Sequence, residues 1–315
     1  IHIGYPKTAT TTIQKNIFMK YCSSRYMGKK YIQDEISNNL DSIIDSLLFD
    51  SETIFDIKLS SHIEIIKSYA KNINDKIIIS NEILSKKYYQ IIIARLDRLF
   101  NIQDYSKCEI IITLRNQKEL IFSQYIEKYK GNNKKFNEYL QNGLSSPYDN
   151  CLYSVYDFYE IYQAYSLVFG KSSVHILLYE DLKYNPKIFS MKLSDLINVD
   201  ESLIYNVLAT KKENIKKKDK AYFFKKISIN NYFSRMYQSV NIDFLSQKNK
   251  NYIKKIFSNI LIEKKIAKIT INEENIIDKY FEESNTLLTK YCDLDLEKYN
   301  YPLVKRKNSD KTNRD

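Results

Sequence analysis

Lys7 is followed by Thr8, Ala9, Thr10, Thr11 and Thr12, an ammonium beside four hydroxyls. Such a set recognises an anion with several oxygens, a phosphate or a sulfate. Gly4-Tyr5-Pro6 ahead of it reads as a turn, and Ile1-His2-Ile3 as the end of a buried strand. From Ile13 onward Ile13, Ile17, Phe18 and Tyr21 fall on one helical face. The free N–H groups and positive dipole end of that helix would point into the loop. A bare capped helix start is the simpler alternative, since threonines are common there. A second cation, Arg115, follows the apolar run 109–114, and Ser123 comes eight positions later. A guanidinium fork suits a dianionic phosphate; its alternative partner is the nearby Glu119. A carboxylate, Glu82, stands just past the apolar run 76–80, where it could take a proton at the same rim. The alternative for Glu82 is a solvated carboxylate at a helix start.

The common phosphate loop, G-x-x-x-x-G-K-[ST], is absent, because no second glycine precedes Lys7. Pro6-Lys7-Thr8-Ala9-Thr10-Thr11 instead resembles the P-K-[ST]-G-T-T loop of sulfotransferases that use 3′-phosphoadenosine 5′-phosphosulfate (PAPS). It departs at Ala9, where that family usually has glycine. The run from Arg115 to Ser123, RNQKELIFS, is similar to the family's R-[ND]-P-x-x-x-x-x-S, with Gln117 in place of proline. Tyr179-Glu180-Asp181-Leu182 after another apolar run, and YFEESNTLL over 280–288, resemble later segments of bacterial members.

The resemblance implies a PAPS-dependent sulfotransferase that acts on a hydroxyl or amino group, with a carbohydrate or other small molecule as acceptor. Lys7, Thr8, Ala9, Thr10, Thr11 and Thr12 would then hold the 5′-phosphosulfate, and Arg115 and Ser123 the 3′-phosphate. Lys7 would also stabilise the leaving group, and Glu82 would be the base, with His62 its rival. No metal and no nucleic acid are implied. Two other classes are weighed. A P-loop nucleotide-dependent kinase would need the glycine-lysine loop and a strand-end aspartate for Mg²⁺, and the strands here end in Ser80 and Leu114. A non-catalytic basic protein binding nucleic acid or glycans would leave the paired anion sites without a purpose.

The elements that must carry these residues alternate. Strands are predicted near 1–4, 76–80, 109–114 and 174–178, with helical stretches between them, one of them a single amphipathic helix from Tyr153 to the stop at Gly170. The interval 28–74 shows no clear strand. This is an α/β pattern: a P-loop-type parallel sheet flanked by helices, with a helical C-terminal part. The boundaries are 1–210 for the nucleotide-binding core, 211–304 for a helical subdomain packed on it, and 305–315 for a disordered polar tail.

The formal charge is +11 in 315 residues, and the chain is rich in Ile, Asn, Lys and Tyr with no Trp, a usage typical of AT-rich coding sequence. Part of the basicity is therefore compositional. The run Lys211–Lys218 is denser than that background and reads as a solvated linker or a lid over the nucleotide. Cys22, Cys108, Cys151 and Cys292 are scattered without metal-ligand spacing and read as reduced thiols of a cytoplasmic protein. His2 and His175 fall inside strands and read as packed residues. No apolar run approaches the roughly 20 residues that span a bilayer. The chain opens on Ile1 in mid-strand, which leaves residues ahead of it an open matter.

Overall fold

The computed structural model describes residues 1–28, 35–71, 73, 76–85, 89–100, 108–129, 135–145, 152–210, 222–226, 262–266 and 268–305. In chain order the elements are β1 (His2–Gly4), α1 (Thr10–Ile13), a π-helical turn (Gln14–Phe18) running into α2 (Met19–Tyr21), and β2 (Tyr26–Gly28). Then come α3 (Glu35–Phe49), α4 (Glu52–Ala70), β3 (Ile78–Ser80), α5 (Tyr89–Phe100), β4 (Ile110–Leu114), α6 (Gln117–Lys128) and α7 (Phe136–Ser145). They are followed by α8 (Leu152–Tyr156), α9 (Phe158–Phe169), β5 (Val174–Leu178), α10 (Tyr179–Tyr184), α11 (Pro186–Ile197) and α12 (Glu201–Thr210). The last are β6 (Tyr222–Lys226), β7 (Ile262–Ile266) and α13 (Ile271–Cys292).

Strands β1 to β5 form one parallel sheet in the order β2-β3-β1-β4-β5. The strands read as continuous apolar runs because both faces are covered. Ile3, Ile110, Ile112, Leu114, Ile176 and Leu178 enter one core, with α5, α6 and α9. Their alternates Ile111 and Leu177 enter another, with Ile13, Ile17, Phe189 and Leu193. The expected α/β architecture is thus observed. The chain leaves β1 toward β3 and β2, whereas β4 leads on to β5 on the other side. The gap between β1 and β4 is therefore the switch point where open α/β sheets receive ligands.

Three expectations change. The edge strand β2 lies where no strand was expected; at three residues it is too short to show a period. The helix expected from Tyr153 is broken at Asp157, whose carboxylate accepts the Glu160 N–H at 2.9 Å and so caps a new helix, α9. Gly170 ends that helix at φ 86, a left-handed conformation that glycine adopts without strain. Within 211–304, expected to be helical, β6 and β7 pair antiparallel. Further on, α13 opens with a capping box between Thr270 and Glu273 and buries Ile277, Phe281 and Leu288 in the larger core. The cluster Lys211–Lys218 and residues 306–315 lie outside the described residues. No helix among the described residues is long and apolar enough to cross a membrane.

The sheet buries a small polar cluster that its strands position. His2 contacts Ser80 Oγ through Nδ1 at 2.7 Å and Thr113 Oγ1 through Nε2 at 3.1 Å, linking β3, β1 and β4. Gln14 donates to the same Ser80 Oγ at 3.1 Å. Burial pushes the His2 pKa from 6.5 down to about 3. The unfolded chain takes that proton near pH 6.5 and the folded one does not. Stability is therefore fully present above 6.5 and falls as the pH drops toward 3, by at most about 1.4 kcal/mol per pH unit for this group. His62, also pushed down by burial, adds to the same trend. Denaturant melts at pH 7.0 and 5.5 should show the loss, and His2→Gln should reduce it; an unchanged pH dependence in that variant would remove His2 as its source.

Candidate active site

The loop after β1 is shaped by its smallest residues. A Cβ at Gly4 would lie 2.2 Å from Thr10 Oγ1, so any other residue would collide with the helix start. Thr8 turns back on Tyr5: its N–H and Oγ1 both donate to the Tyr5 carbonyl, at 3.2 and 2.6 Å, and Thr10 Oγ1 does so at 3.4 Å. Thr8 and Thr10 are buried, and their hydroxyls hold the loop together. Thr11 is exposed and Thr12 half-buried. Two residues have left-handed backbone: Lys7 at φ 71 and Ala9 at φ 64. Ala9 therefore carries a conformation that glycine would adopt freely. Helix α1 starts at Thr10 with no side-chain cap, so the open N–H groups of its first turn face the loop.

Strand register brings the second cation to the same place. Gly4 pairs with Thr113, and the Tyr5 N–H donates to the Thr113 carbonyl at 3.4 Å, so β1 and β4 reach one rim together. Arg115, two residues on, donates from Nη1 to the Lys7 carbonyl at 3.1 Å. Its guanidinium lies over the Tyr179 ring at 4.7 Å. Its Nη2 donates to Glu119 at 2.8 Å, the alternative partner weighed from the sequence. The Arg115 Nε is buried and has no partner among the described residues. The Lys7 ammonium pairs with Glu127 at 2.8 Å. Ser123 is half-buried on α6 between those two glutamates in sequence.

Glu82 begins a 3₁₀ turn, Glu82–Ser85, beyond β3 and is half-buried. Because Ser80 pairs with His2, Glu82 follows at about the level of Gly4. The Asn81 N–H also donates to the His2 carbonyl at 3.2 Å, tying this turn to β1. His62 is in a different setting. It is buried on α4, 6.5 Å from the Phe55 ring, with neither ring nitrogen hydrogen-bonded among the described residues. The charges that act on it are Lys58 and Asp50, not those of the loop. Among the described residues no group of His, Cys, Asp and Glu is arranged to hold a metal.

The rim is braced from the C-terminal side. Glu180 accepts the Asn116 N–H at 3.0 Å and the Tyr301 hydroxyl at 2.9 Å, and burial raises its pKa. Asp181 accepts the Tyr299 hydroxyl at 2.6 Å. Asn116 donates to the carbonyls of Tyr299 and Asn300 at 3.0 and 2.8 Å. Gln117, fully buried, exchanges amide hydrogen bonds with Asn285 of α13 at 2.8 and 3.1 Å. The proline that Gln117 replaces could not donate such bonds. From the sequence Gln117 stands only in place of a proline, and Asn285 and Glu127 carry no assigned role. Glu127 had a signal: Arg115, Glu119, Ser123 and Glu127 follow one another at four-residue steps.

No family model matches this chain. No curated protein matches it either. Among solved structures, the crystal structure of a sulfotransferase from Alicyclobacillus acidocaldarius is similar over 63% of this chain and 80% of its own length. Its identity is 14% and its TM-score 0.43.

The strain at Ala9 gives a direct test. A left-handed alanine costs about 1–2 kcal/mol, and glycine gives back about 0.4–1 kcal/mol through the entropy of the unfolded chain. Ala9→Gly should therefore stabilise the protein by about 0.5–1 kcal/mol in chemical denaturation; a loss of stability would mean that the loop does not hold this conformation.

Proposed function

We propose that the protein is a PAPS-dependent sulfotransferase acting on a hydroxyl or amino group of a carbohydrate. The observation that carries this reading is the hydrogen bond from Arg115 to the Lys7 carbonyl, which joins the two anion-binding motifs at one rim of the sheet. The residues present suit the nucleotide. The loop offers the first-turn N–H groups of α1 and a lysine, and Arg115 keeps a buried unpaired Nε.

When bound, PAPS would supply the sulfuryl group for an in-line displacement, the acceptor oxygen bonding to sulfur as the bond from sulfur to the bridging oxygen breaks. The chain's residues would manage charge and proton. Lys7 would donate to the bridging oxygen, which keeps the electron pair of the broken bond, and the α1 amides would stabilise the 5′-phosphate. Arg115 and Ser123 would hold the 3′-phosphate, fixing the nucleotide's direction along the rim. Glu82 would accept the acceptor's proton.

Adenosine 3′,5′-diphosphate should stabilise the protein by about 2.7 kcal/mol at a hundredfold excess over its dissociation constant. A thermal shift with ATP–Mg²⁺ and none with the diphosphate would overturn the reading in favour of a kinase. Lys7→Ala should lower sulfate transfer by about a hundredfold or more, as for the loss of one transition-state donor. Glu82→Gln should abolish transfer and leave diphosphate affinity unchanged in titration calorimetry; retained turnover would exclude Glu82 as the base.

A further inference from the structure

Helix α6 carries more than Ser123 on the face it turns to the two cations. Glu119 and Glu127 stand four residues to either side of Ser123, so the three side chains share one helical stripe about 12 Å long. Arg115 is paired with the near carboxylate and Lys7 with the far one, each at 2.8 Å. The stripe therefore holds two positive and two negative groups, and its charges cancel. A phosphate brought to these cations would compete with the two carboxylates for them and meet like-charge repulsion that their exposure moderates.

We propose that Glu119 and Glu127 are positioning residues that occupy the anion site: each holds one cation along α6 and gives it up to one end of the nucleotide. This rests on the PAPS reading above. Binding is then an exchange in which the 3′-phosphate displaces Glu119 from Arg115 and the 5′ group displaces Glu127 from Lys7. Both carboxylates are substantially exposed, at 46% and 65%, so each pair is weak enough to open. The pairs would keep two long cationic side chains near their working positions.

The test uses two nucleotides that differ at one end. Adenosine 3′,5′-diphosphate and adenosine 5′-monophosphate are titrated calorimetrically into the full chain and into Glu119→Gln and Glu127→Gln. The diphosphate should bind about two- to fivefold more tightly to both variants, in line with an exposed ion pair. The monophosphate should gain only in Glu127→Gln, because it has nothing to place at Arg115. Equal gains for both ligands in both variants would reduce the effect to overall charge and overturn the proposal. Weaker or unchanged diphosphate binding in the variants would overturn it too, since the carboxylates would then not compete with the ligand. Failure of the diphosphate to bind even the unmodified chain would instead refute the underlying PAPS reading.

Discussion

The site depends on the register between β1 and β4. Two parallel strands that end at the same height put whatever follows them on one rim, and here Gly4 faces Thr113 across the ladder. The residues beyond differ in kind. One strand leads into a tight loop with a lysine, and the other into a helix preceded by an arginine. A shift of one residue would move the following groups by about 3.3 Å and turn the strand's side chains to the opposite face. His2 would then leave Thr113 and Ser80, and a buried imidazole without partners is expensive. The polar contacts beneath the rim thus oppose slippage of the strands that form it.

Cation placement also has a structural cost at the loop. Lys7 and Ala9 both hold left-handed backbone, and only the second stands where glycine would be expected from the resemblance. The buried contacts of Thr8 and Thr10 with the Tyr5 carbonyl hold the loop in that shape. The hydroxyls of the loop therefore divide by task. Two close the loop on itself, while Thr11 and Thr12 remain on its outer side.

Most of the sheet was legible because its longer strands are apolar runs bounded by polar residues, and Lys7, Glu82 and Arg115 stood out as charged residues just beyond them. What escaped the sequence has identifiable causes. Strand β2 has three residues and no pattern of its own, and it exists because β3 offers it an edge. The break at Asp157 was hidden by tyrosines at helical spacing on both sides; a side-chain cap outweighed the period. Gln117 shows in the sequence only as a replacement for proline, because its partner, Asn285, lies 168 residues away. Side-chain pairs of that kind leave no local trace.

The C-terminal contacts make the arginine end of the rim a joint product of distant segments. Among the described residues Arg115 hydrogen-bonds to Lys7 and Glu119, while its neighbours Asn116 and Gln117 are fastened to the stretch from Asn285 to Pro302. Glu180 holds the Asn116 backbone and Tyr301 together, and the Tyr179 ring beside it lies under the guanidinium. Buried polar groups of this sort stabilise little on balance, but leaving one unpaired costs about 1–3 kcal/mol. Their effect is selective: few other arrangements of these segments satisfy them all. The loop around Lys7 is closed locally by Thr8 and Thr10 on the Tyr5 carbonyl, although Lys7 also meets Arg115 and Glu127. The residues beside Arg115 are instead held by Glu180 and the segment from Asn285 to Pro302. The two ends of the candidate anion site thus lean on different parts of the chain, and damage near the C-terminus should reach the arginine end first.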